Sequence, residues 1–93
     1  MHTITFTEEA LQHLNEWRTS DPKTLSKIVS LITSMAATPF TGIGKPEPLK
    51  HDLKGYWSRR ITGEHRLVYK VSGTKGNDQK CVIIQCRLHY DDI

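Results

Sequence analysis

The segment YWSRRITGEHRLVYKV, residues 56–71, predicts a β-hairpin and sets the class of fold. Residues 56–61 form its first strand, Thr62-Gly63-Glu64 the turn and residues 65–71 its second strand. The second strand alternates between two faces, with Leu67, Tyr69 and Val71 on one and Arg66, Val68 and Lys70 on the other. Alternation of this kind is typical of a strand that buries one side.

A further strand is predicted for residues 80–88, whose apolar run at residues 81–84 indicates a central position in the sheet. Between the two strands, residues 72–79 are almost entirely polar or glycine, and we predict a loop there. Near the N-terminus, Ile4 and Phe6 alternate with threonines, which favours a short first strand.

Two helices are predicted between the first strand and the hairpin. Thr7 is a suitable N-cap for a helix from about Glu8 to Trp17, because carboxylates in its first turn complement the helix dipole. Asp21 and Pro22 start a second helix that ends before Pro39. Its apolar residues form one stripe: Leu25, Ile28, Val29, Ile32 and Met35.

The predicted order is therefore β-α-α-β-β-β in a single domain, residues 1–93. This is an α+β fold in which two N-terminal helices pack on one face of a mostly antiparallel sheet. The sequence has no apolar run of about 18 residues and no secretory signal pattern, so we expect no membrane association and a cytoplasmic location. A domain of this size favours a surface cleft over an internal cavity as its site.

The two cysteines, Cys81 and Cys86, are five residues apart and do not form a zinc-binding pair. On one regular strand this odd offset places them on opposite faces, which makes a disulfide between them unfavourable. We expect two buried or half-buried free thiols. No cluster of acidic or Cys/His ligands is evident, so we predict no metal and no cofactor.

Positive charge is concentrated in residues 45–70. The formal net charge of the chain is +3, whereas this segment has seven Lys or Arg and three Asp or Glu, a net of +4, which leaves −1 for the rest. A basic segment on a nearly neutral scaffold suggests a polyanion as partner. The alternative is a solvated strand face whose lysines protect a sheet edge.

An irregular loop, residues 38–50, precedes the hairpin and contains three prolines and two glycines, which exclude a helix or a central strand. Prolines on both sides of Glu47 stiffen its backbone, and a stiff loop loses less entropy when a side chain is held in place.

A set of residues suited to RNA cleavage without metal is present. Such cleavage needs a base for the 2′-hydroxyl, a cation for the phosphorane and an acid for the 5′-oxygen; Glu47, Arg66 and His89 supply these groups. Basic residues suited to gripping phosphates are Lys50, Arg59 and Arg60, and aromatic residues suited to stacking on bases are Tyr56, Trp57 and Tyr90. Each of them alone is more often structural, and cross-strand packing is the more common role of at least one of Tyr56 and Trp57.

Four motifs carry a resemblance to a known family. They are residues 38–51, which include the run GKPEPLKH, residues 57–61 (WSRRI), residues 64–69 (EHRLVY) and residues 86–90 (CRLHY). In this order they resemble the YoeB (Txe) toxins of the RelE/ParE superfamily, and the similarity covers nearly the whole chain.

The resemblance implies a RelE-like microbial RNase fold and cleavage of translated mRNA in the A site of the bacterial ribosome. It implies neutralisation by a YefM-type antitoxin and a possible homodimer. It matches Glu47 to the proposed general base, Arg66 to the arginine that stabilises the phosphorane and His89 to the proposed acid. Tyr90 matches the tyrosine that positions the substrate, and Lys50 and Arg60 match contacts to the RNA backbone.

Two alternatives remain open at this point. ParE-like toxins resemble this fold but act by binding DNA gyrase, and a non-catalytic RNA-binding module would also explain the basic strands. The presence of Glu47, Arg66, His89 and Tyr90 together favours the nuclease. The chain departs from many relatives in its last residues, Asp91-Asp92-Ile93, and in the apparently longer 72–79 segment.

Overall fold

A short strand, two helices and a four-stranded C-terminal part succeed one another in the structure, a computed structural model that describes residues 3–74 and 77–87. Its elements, in chain order, are β1 (Thr3–Phe6), α1 (Glu8–Ser20), α2 (Pro22–Ala37), β2 (Glu47–Pro48), β3 (Tyr56–Arg60), β4 (Arg66–Thr74) and β5 (Asn77–Gln85). A 3-10 turn, His51–Leu53, links β2 to β3. The predicted α+β architecture is confirmed, with one two-residue strand added inside the predicted loop.

The sheet has the strand order β1-β5-β4-β3-β2. Neighbouring strands are antiparallel except for β1 and β5, which are parallel, so the sheet is mixed with a single parallel pair. The last strand lies between β1 and β4, as its apolar run predicts. The two-residue β2 forms the edge, which is where a strand that ends in proline is tolerated.

Both helices begin with the caps that the sequence predicts. The Thr7 hydroxyl accepts a hydrogen bond from the Ala10 N–H at 3.1 Å, and the Asp21 carboxylate accepts one from the Thr24 N–H at 3.4 Å. The predicted end of α2 is confirmed, but α1 continues three residues past Trp17 to Ser20. This last turn is exposed and polar, so no apolar periodicity marks it.

The core lies between the helices and one face of the sheet, which we call the helix face. Its buried side chains come from α1, α2, β4 and β5 and the residues that flank the strands: Ala10, Trp17, Ile28, Leu31, Met35, Ile61, Leu67, Tyr69, Cys81, Ile83 and Cys86. Leu67 and Tyr69 lie in this core and Val71 packs against it, as the alternation predicts. The opposite side of the sheet, the open face, is the side without helices.

The prediction of a loop at residues 72–79 is wrong. Strand β4 extends to Thr74 and β5 begins at Asn77, so most of this segment belongs to a β-hairpin that is longer than predicted. Register pairs Ser72 with Lys80 and Thr74 with Asn77. Polar residues are compatible with strand pairing here because β3 pairs with β4 only as far as Lys70, so the pairs from Ser72 on lie beyond the end of β3.

The prediction that the two cysteines face opposite sides of the sheet is also wrong. Tyr69 pairs with Ile83 and Val68 with Gln85, so β5 uses two steps where β4 uses one. This bulge resets the alternation. Cys81 and Cys86 both lie in the core between the helices and the sheet. Both are free and buried, which confirms the prediction of two buried free thiols.

Candidate active site

A row of paired residues crosses the open face of the sheet. Glu47 pairs with Ser58, Ser58 with Val68 and Val68 with Gln85. Residues that pair directly across neighbouring strands place their side chains on the same face. The exposed Glu47 carboxylate therefore stands at the edge end of this row, whose other members, Ser58, Val68 and Gln85, are buried.

Strand β2 fixes the position of Glu47. The next two residues anchor it, because Pro48 pairs with Trp57, and Leu49 is buried and donates its N–H to the Tyr56 carbonyl at 2.9 Å. The Glu47 side chain itself is exposed. A carboxylate held on an ordered backbone and open to solvent is available to a substrate that approaches from outside.

Arg66 begins β4 on the same face. Its Nη1 donates to three carbonyls of the preceding turn, those of Thr62 at 2.7 Å, Gly63 at 3.3 Å and His65 at 3.0 Å. Within residues 3–74 and 77–87, the structure shows no hydrogen bond from its Nε or Nη2. The turn thus orients the guanidinium and leaves donors for an anion.

Arg60 lies directly opposite Arg66 in the β3–β4 register, and its side chain is exposed. Like charges directly opposite each other destabilise a strand pair, and an anion placed across both would remove that repulsion. Glu47 is two strands and two residues away from Arg66, roughly 12 Å between Cα atoms from standard sheet spacings.

Helix α1 holds the chain at the end of β5. The Trp17 Nε1–H donates to the Cys86 carbonyl at 2.8 Å, His13 Nδ1 accepts from the Cys86 N–H at 3.3 Å and the Arg87 guanidinium pairs with Glu16 at 3.0 Å. Arg87 is the last described residue. His89 and Tyr90, both predicted for the site, lie outside the described residues.

Comparison with known proteins identifies the family of the chain. The family model for the YoeB-like toxin of bacterial type II toxin-antitoxin systems matches residues 6–90. The chain belongs to the YoeB toxin family. Toxin YoeB of Streptomyces coelicolor is 51% identical over 87 residues, which cover 94% of this chain and 98% of that one, and Toxin YoeB of Escherichia coli K12 is 47% identical over the same shares.

Solved structures of YoeB toxins share the fold. A YoeB/ParE toxin from Agrobacterium tumefaciens has a TM-score of 0.87 at 48% identity, covering 95% of this chain and 99% of that one. A YoeB dimer from Staphylococcus aureus has a TM-score of 0.82 at 41% identity, covering 96% and 98%. The heterotetrameric YoeB-YefM complex of the same species has a TM-score of 0.81 at 40% identity, covering 97% of this chain and 99% of that one.

The prediction that Arg59 grips RNA is wrong for this YoeB-family chain. Alternation along β3 turns Arg59 to the helix face, opposite to Ser58 and Arg60, and its side chain is fully buried. Its guanidinium is engaged by protein acceptors from α2, from the loop after it and from β4. The sequence pattern shows a cation in a basic segment but carries no signal that this cation is inside.

The other predicted binding residues have separate positions. Lys50 is exposed between β2 and the 3-10 turn. Trp57 is half-buried against the core, and the centre of its ring lies 4.9 Å from that of Phe40. The packing role expected for at least one of Tyr56 and Trp57 is thus confirmed for Trp57. Tyr56 pairs with Lys70, whose ammonium lies 5.5 Å from the centre of the tyrosine ring.

Sequence reasoning missed the contribution of α1 to this YoeB-type site. Trp17 follows the apolar spacing of a core helix, which conceals that its indole N–H fixes the Cys86 carbonyl and its ring edge contacts His65 at 4.8 Å. The signal that was present is the amphipathic nature of tryptophan, which usually finds a hydrogen-bond partner when buried.

Burial raises the pKa of the Cys86 thiol to about 12, with the nearby Glu16 carboxylate acting in the same direction.

The described ranges contain no group of three or more His, Cys, Asp or Glu side chains arranged to hold a metal ion. No helix within them combines the length and apolar character needed to cross a membrane. Among the described residues, the candidate site of this YoeB-family chain consists of Glu47, Arg60 and Arg66 on the side of the sheet without helices.

Proposed function

We propose that this chain is a ribosome-dependent endoribonuclease that cleaves translated mRNA in the ribosomal A site and so inhibits translation. The observation that carries the proposal is that Glu47 and Arg66 lie on the same side of the sheet, the side without helices, in a chain of the YoeB family. A shallow face suits a substrate far larger than the protein, which is presented by another particle.

In the proposed reaction, Glu47 accepts the proton of the 2′-hydroxyl, and the 2′-oxygen attacks the adjacent phosphorus. Arg66 donates hydrogen bonds to the phosphorane oxygens, whose charge increases in the transition state. His89 gives a proton to the departing 5′-oxygen, and Tyr90 positions or stacks on the base. The products are a 2′,3′-cyclic phosphate and a 5′-hydroxyl, and no step requires a metal.

In this proposal, Arg60 and Lys50 contact the phosphate backbone of the RNA. Both side chains are exposed, and Arg60 lies beside Arg66 in the strand register. Contacts to phosphates fix the position of an RNA but carry no base preference. Codon preference therefore comes from other residues or from the ribosome.

A YefM-type antitoxin and a second copy of the chain are the proposed protein partners. The chain belongs to a toxin family of type II toxin-antitoxin systems, and the similar S. aureus structures are a YoeB-YefM complex and a YoeB dimer. A ribosomal substrate also places the protein in the cytoplasm. A ParE-like action on gyrase is the competing function, and no described contact favours it.

The test is cleavage on ribosomes programmed with a defined mRNA, with the ends mapped at single-nucleotide resolution. Wild type should cut within the A-site codon and leave a cyclic or 3′-phosphate, whereas Glu47→Gln should be strongly impaired. Glu8→Gln is the matched control, because Glu8 is an exposed carboxylate in the first turn of α1. Intact mRNA with wild type, together with inhibition of gyrase, would replace this proposal by the ParE-like one.

The chemistry is tested separately from the ribosome. Ribosomes need magnesium, so metal dependence is measured on a magnesium-independent RNA substrate with and without a chelator. Cleavage that disappears with chelator and returns with a divalent ion contradicts the proposed mechanism. So do 3′-hydroxyl ends, because they indicate attack by water.

A further inference from the structure

The loop between α2 and β2, residues 38–46, ends one residue before Glu47. It contains no helix or strand, yet its backbone is held at several points by one side chain, that of Arg59 in β3. The loop is the only covalent route from α2 to β2, so its shape sets where the edge strand begins.

Arg59 makes five hydrogen bonds from a fully buried position. Its Nη2 donates to the carbonyls of Thr38 at 2.7 Å and Thr41 at 2.9 Å. Its Nη1 donates to the Ile43 carbonyl at 3.2 Å and the Ser34 hydroxyl at 2.9 Å, and its Nε to the Tyr69 hydroxyl at 3.1 Å.

A buried charge is costly unless it is paired or fully hydrogen-bonded. Within the described part of the chain no carboxylate lies within ion-pair distance of Arg59, so backbone carbonyls of the loop stabilise its charge instead. The loop carbonyls of Thr38, Thr41 and Ile43 all accept from the guanidinium. Those of Thr38 and Thr41 also accept within the loop, from the Thr41 N–H at 3.4 Å and the Thr38 hydroxyl at 2.9 Å. The Tyr69 hydroxyl extends the network by donating to the Pro39 carbonyl at 2.7 Å.

Two glycines let the loop approach this network closely. Gly42 and Gly44 have φ of +118° and +84°, a region that favours glycine. A Cβ on Gly42 would collide with the Ser34 hydroxyl, and one on Gly44 would lie 3.1 Å from the Arg59 Cβ. The Arg60 N–H then donates to the Gly44 carbonyl at 2.7 Å, which ties the end of the loop to β3.

We propose that Arg59 is a positioning residue for Glu47, an inference that rests on the proposed nuclease function. Ser58 and Arg59 are consecutive residues of β3, so their side chains lie on opposite sides of the sheet. Arg59 holds the loop from the helix face, while Ser58 pairs with Glu47 and carries it on the open face. Loss of the guanidinium contacts releases the loop and allows the carboxylate to move relative to Arg66.

The expected effect is on the chemical step and not on binding. Arg59→Lys keeps the charge but replaces a planar five-donor group by a flexible ammonium, which cannot reach all of these acceptors. A misplacement of about 1 Å lowers a rate on the order of 100-fold, so we expect single-turnover cleavage to fall roughly 10- to 100-fold. Affinity for programmed ribosomes should change less than about threefold, because exposed cations supply it.

A double-mutant cycle separates positioning from general destabilisation. If Arg59 acts through Glu47, Arg59→Lys should cost little further rate in a Glu47→Gln background. Ile28→Val is the stability control, because Ile28 is buried in α2 and takes part in none of the hydrogen bonds of the network. All rates are measured well below each variant's Tm. Equal losses in both backgrounds would overturn the proposal.

A second variant and a ribosome-free readout complete the experiment. Tyr69→Phe keeps the ring but removes the hydroxyl that joins Arg59 to Pro39, and we expect a smaller loss in the same direction. Amide hydrogen exchange at residues 41–47 should accelerate in both variants and stay unchanged in Ile28→Val. Unchanged exchange there refutes loop control even if activity falls. Inactive wild type refutes the proposed function and this inference together, whereas active wild type with additive losses refutes this inference alone.

Discussion

Arg66 illustrates how a single turn orients a side chain. Its Nη1 donates to the carbonyls of Thr62, Gly63 and His65, and these contacts limit the rotation of the guanidinium. Within the described residues, Nε and Nη2 make no hydrogen bond. A preorganised donor needs little rearrangement at the moment of reaction, and this is where such donors contribute most.

Removing Arg66 should therefore slow cleavage much more than it weakens binding. We expect Arg66→Ala to lose on the order of 100- to 1000-fold in single-turnover rate, and Arg66→Lys to restore little of it. The measurement combines cleavage on programmed ribosomes with ribosome affinity and a melting curve for each variant. Near-normal cleavage by Arg66→Lys, or a loss fully explained by unfolding, would remove Arg66 from the catalytic set.

The two cysteines should be chemically silent in the folded protein. Because burial raises the pKa of Cys86 to about 12, its thiol stays protonated in the folded protein at pH 8. Burial also raises the pKa of Cys81. A thiol reagent at pH 8 should label the native protein very slowly and both residues rapidly in guanidinium. Rapid labelling of the native protein would show that the core opens easily.

Residue roles were predicted unevenly from the sequence. Glu47 and Arg66 were named together from the chemistry of RNA cleavage and the family motifs, but the sequence predicted a loop at Glu47 and no face shared with Arg66; the strand register supplies that face. Arg59 was assigned to RNA because charge composition does not distinguish an exposed cation from one that carbonyls enclose. That distinction depends on tertiary contacts with Ser34 and Thr38, which lie more than 20 residues away in the chain.

At the scale of elements, caps and periodicity predicted both helices and the long strands. The bulge in β5 was not predictable from alternation, because it depends on how Ile83 and Gln85 pair with β4. The hairpin beyond Ser72 was missed since polar residues and glycine at its tip have the composition of a loop, while strand pairing there follows from the two strands leading into it.

Asp21 lies between helices α1 and α2. We expect the ionisation of its carboxylate to make the stability of this pair of helices depend on pH. Hydrogen bonds from the Thr24 hydroxyl at 2.7 Å and from the Thr24 N–H lower the Asp21 pKa below its ordinary value. A depressed folded pKa means that this stabilisation is complete above the unfolded pKa near 3.8 and is lost as pH falls through the folded value.

We expect Asp21→Ala to lower Tm by roughly 5 °C at pH 7, the usual consequence of losing an N-cap in a domain of this size. Asp21→Asn is the matched control, because it keeps a capping oxygen but does not titrate. The Tm difference between wild type and Asp21→Asn should therefore shrink between pH 5 and pH 2. A difference that stays constant over this range would exclude a contribution from Asp21 ionisation.

At the scale of the whole molecule, charge is divided between the two sides of the sheet. Arg59 is buried, so the +4 of residues 45–70 leaves +3 for the surface, and Arg60 and Arg66 are on the open face. If the proposed nuclease function holds, a chain with exposed basic residues on this face needs control by a partner. We expect the antitoxin to cover this face with an acidic, partly disordered segment that folds on binding over residues 45–70 and 87–90.

Charge reversal on the two sides tests this arrangement. Arg60→Glu should weaken binding of a YefM-type antitoxin about 10-fold or more at low salt, because like charges then face each other. Lys27→Glu makes the same change on the exposed side of α2 and should alter affinity less than about twofold. The Arg60→Glu effect should diminish as ionic strength rises, because salt screens exposed charges. Titration calorimetry at two salt concentrations measures both, and equal effects of the two variants would place the antitoxin elsewhere on the molecule.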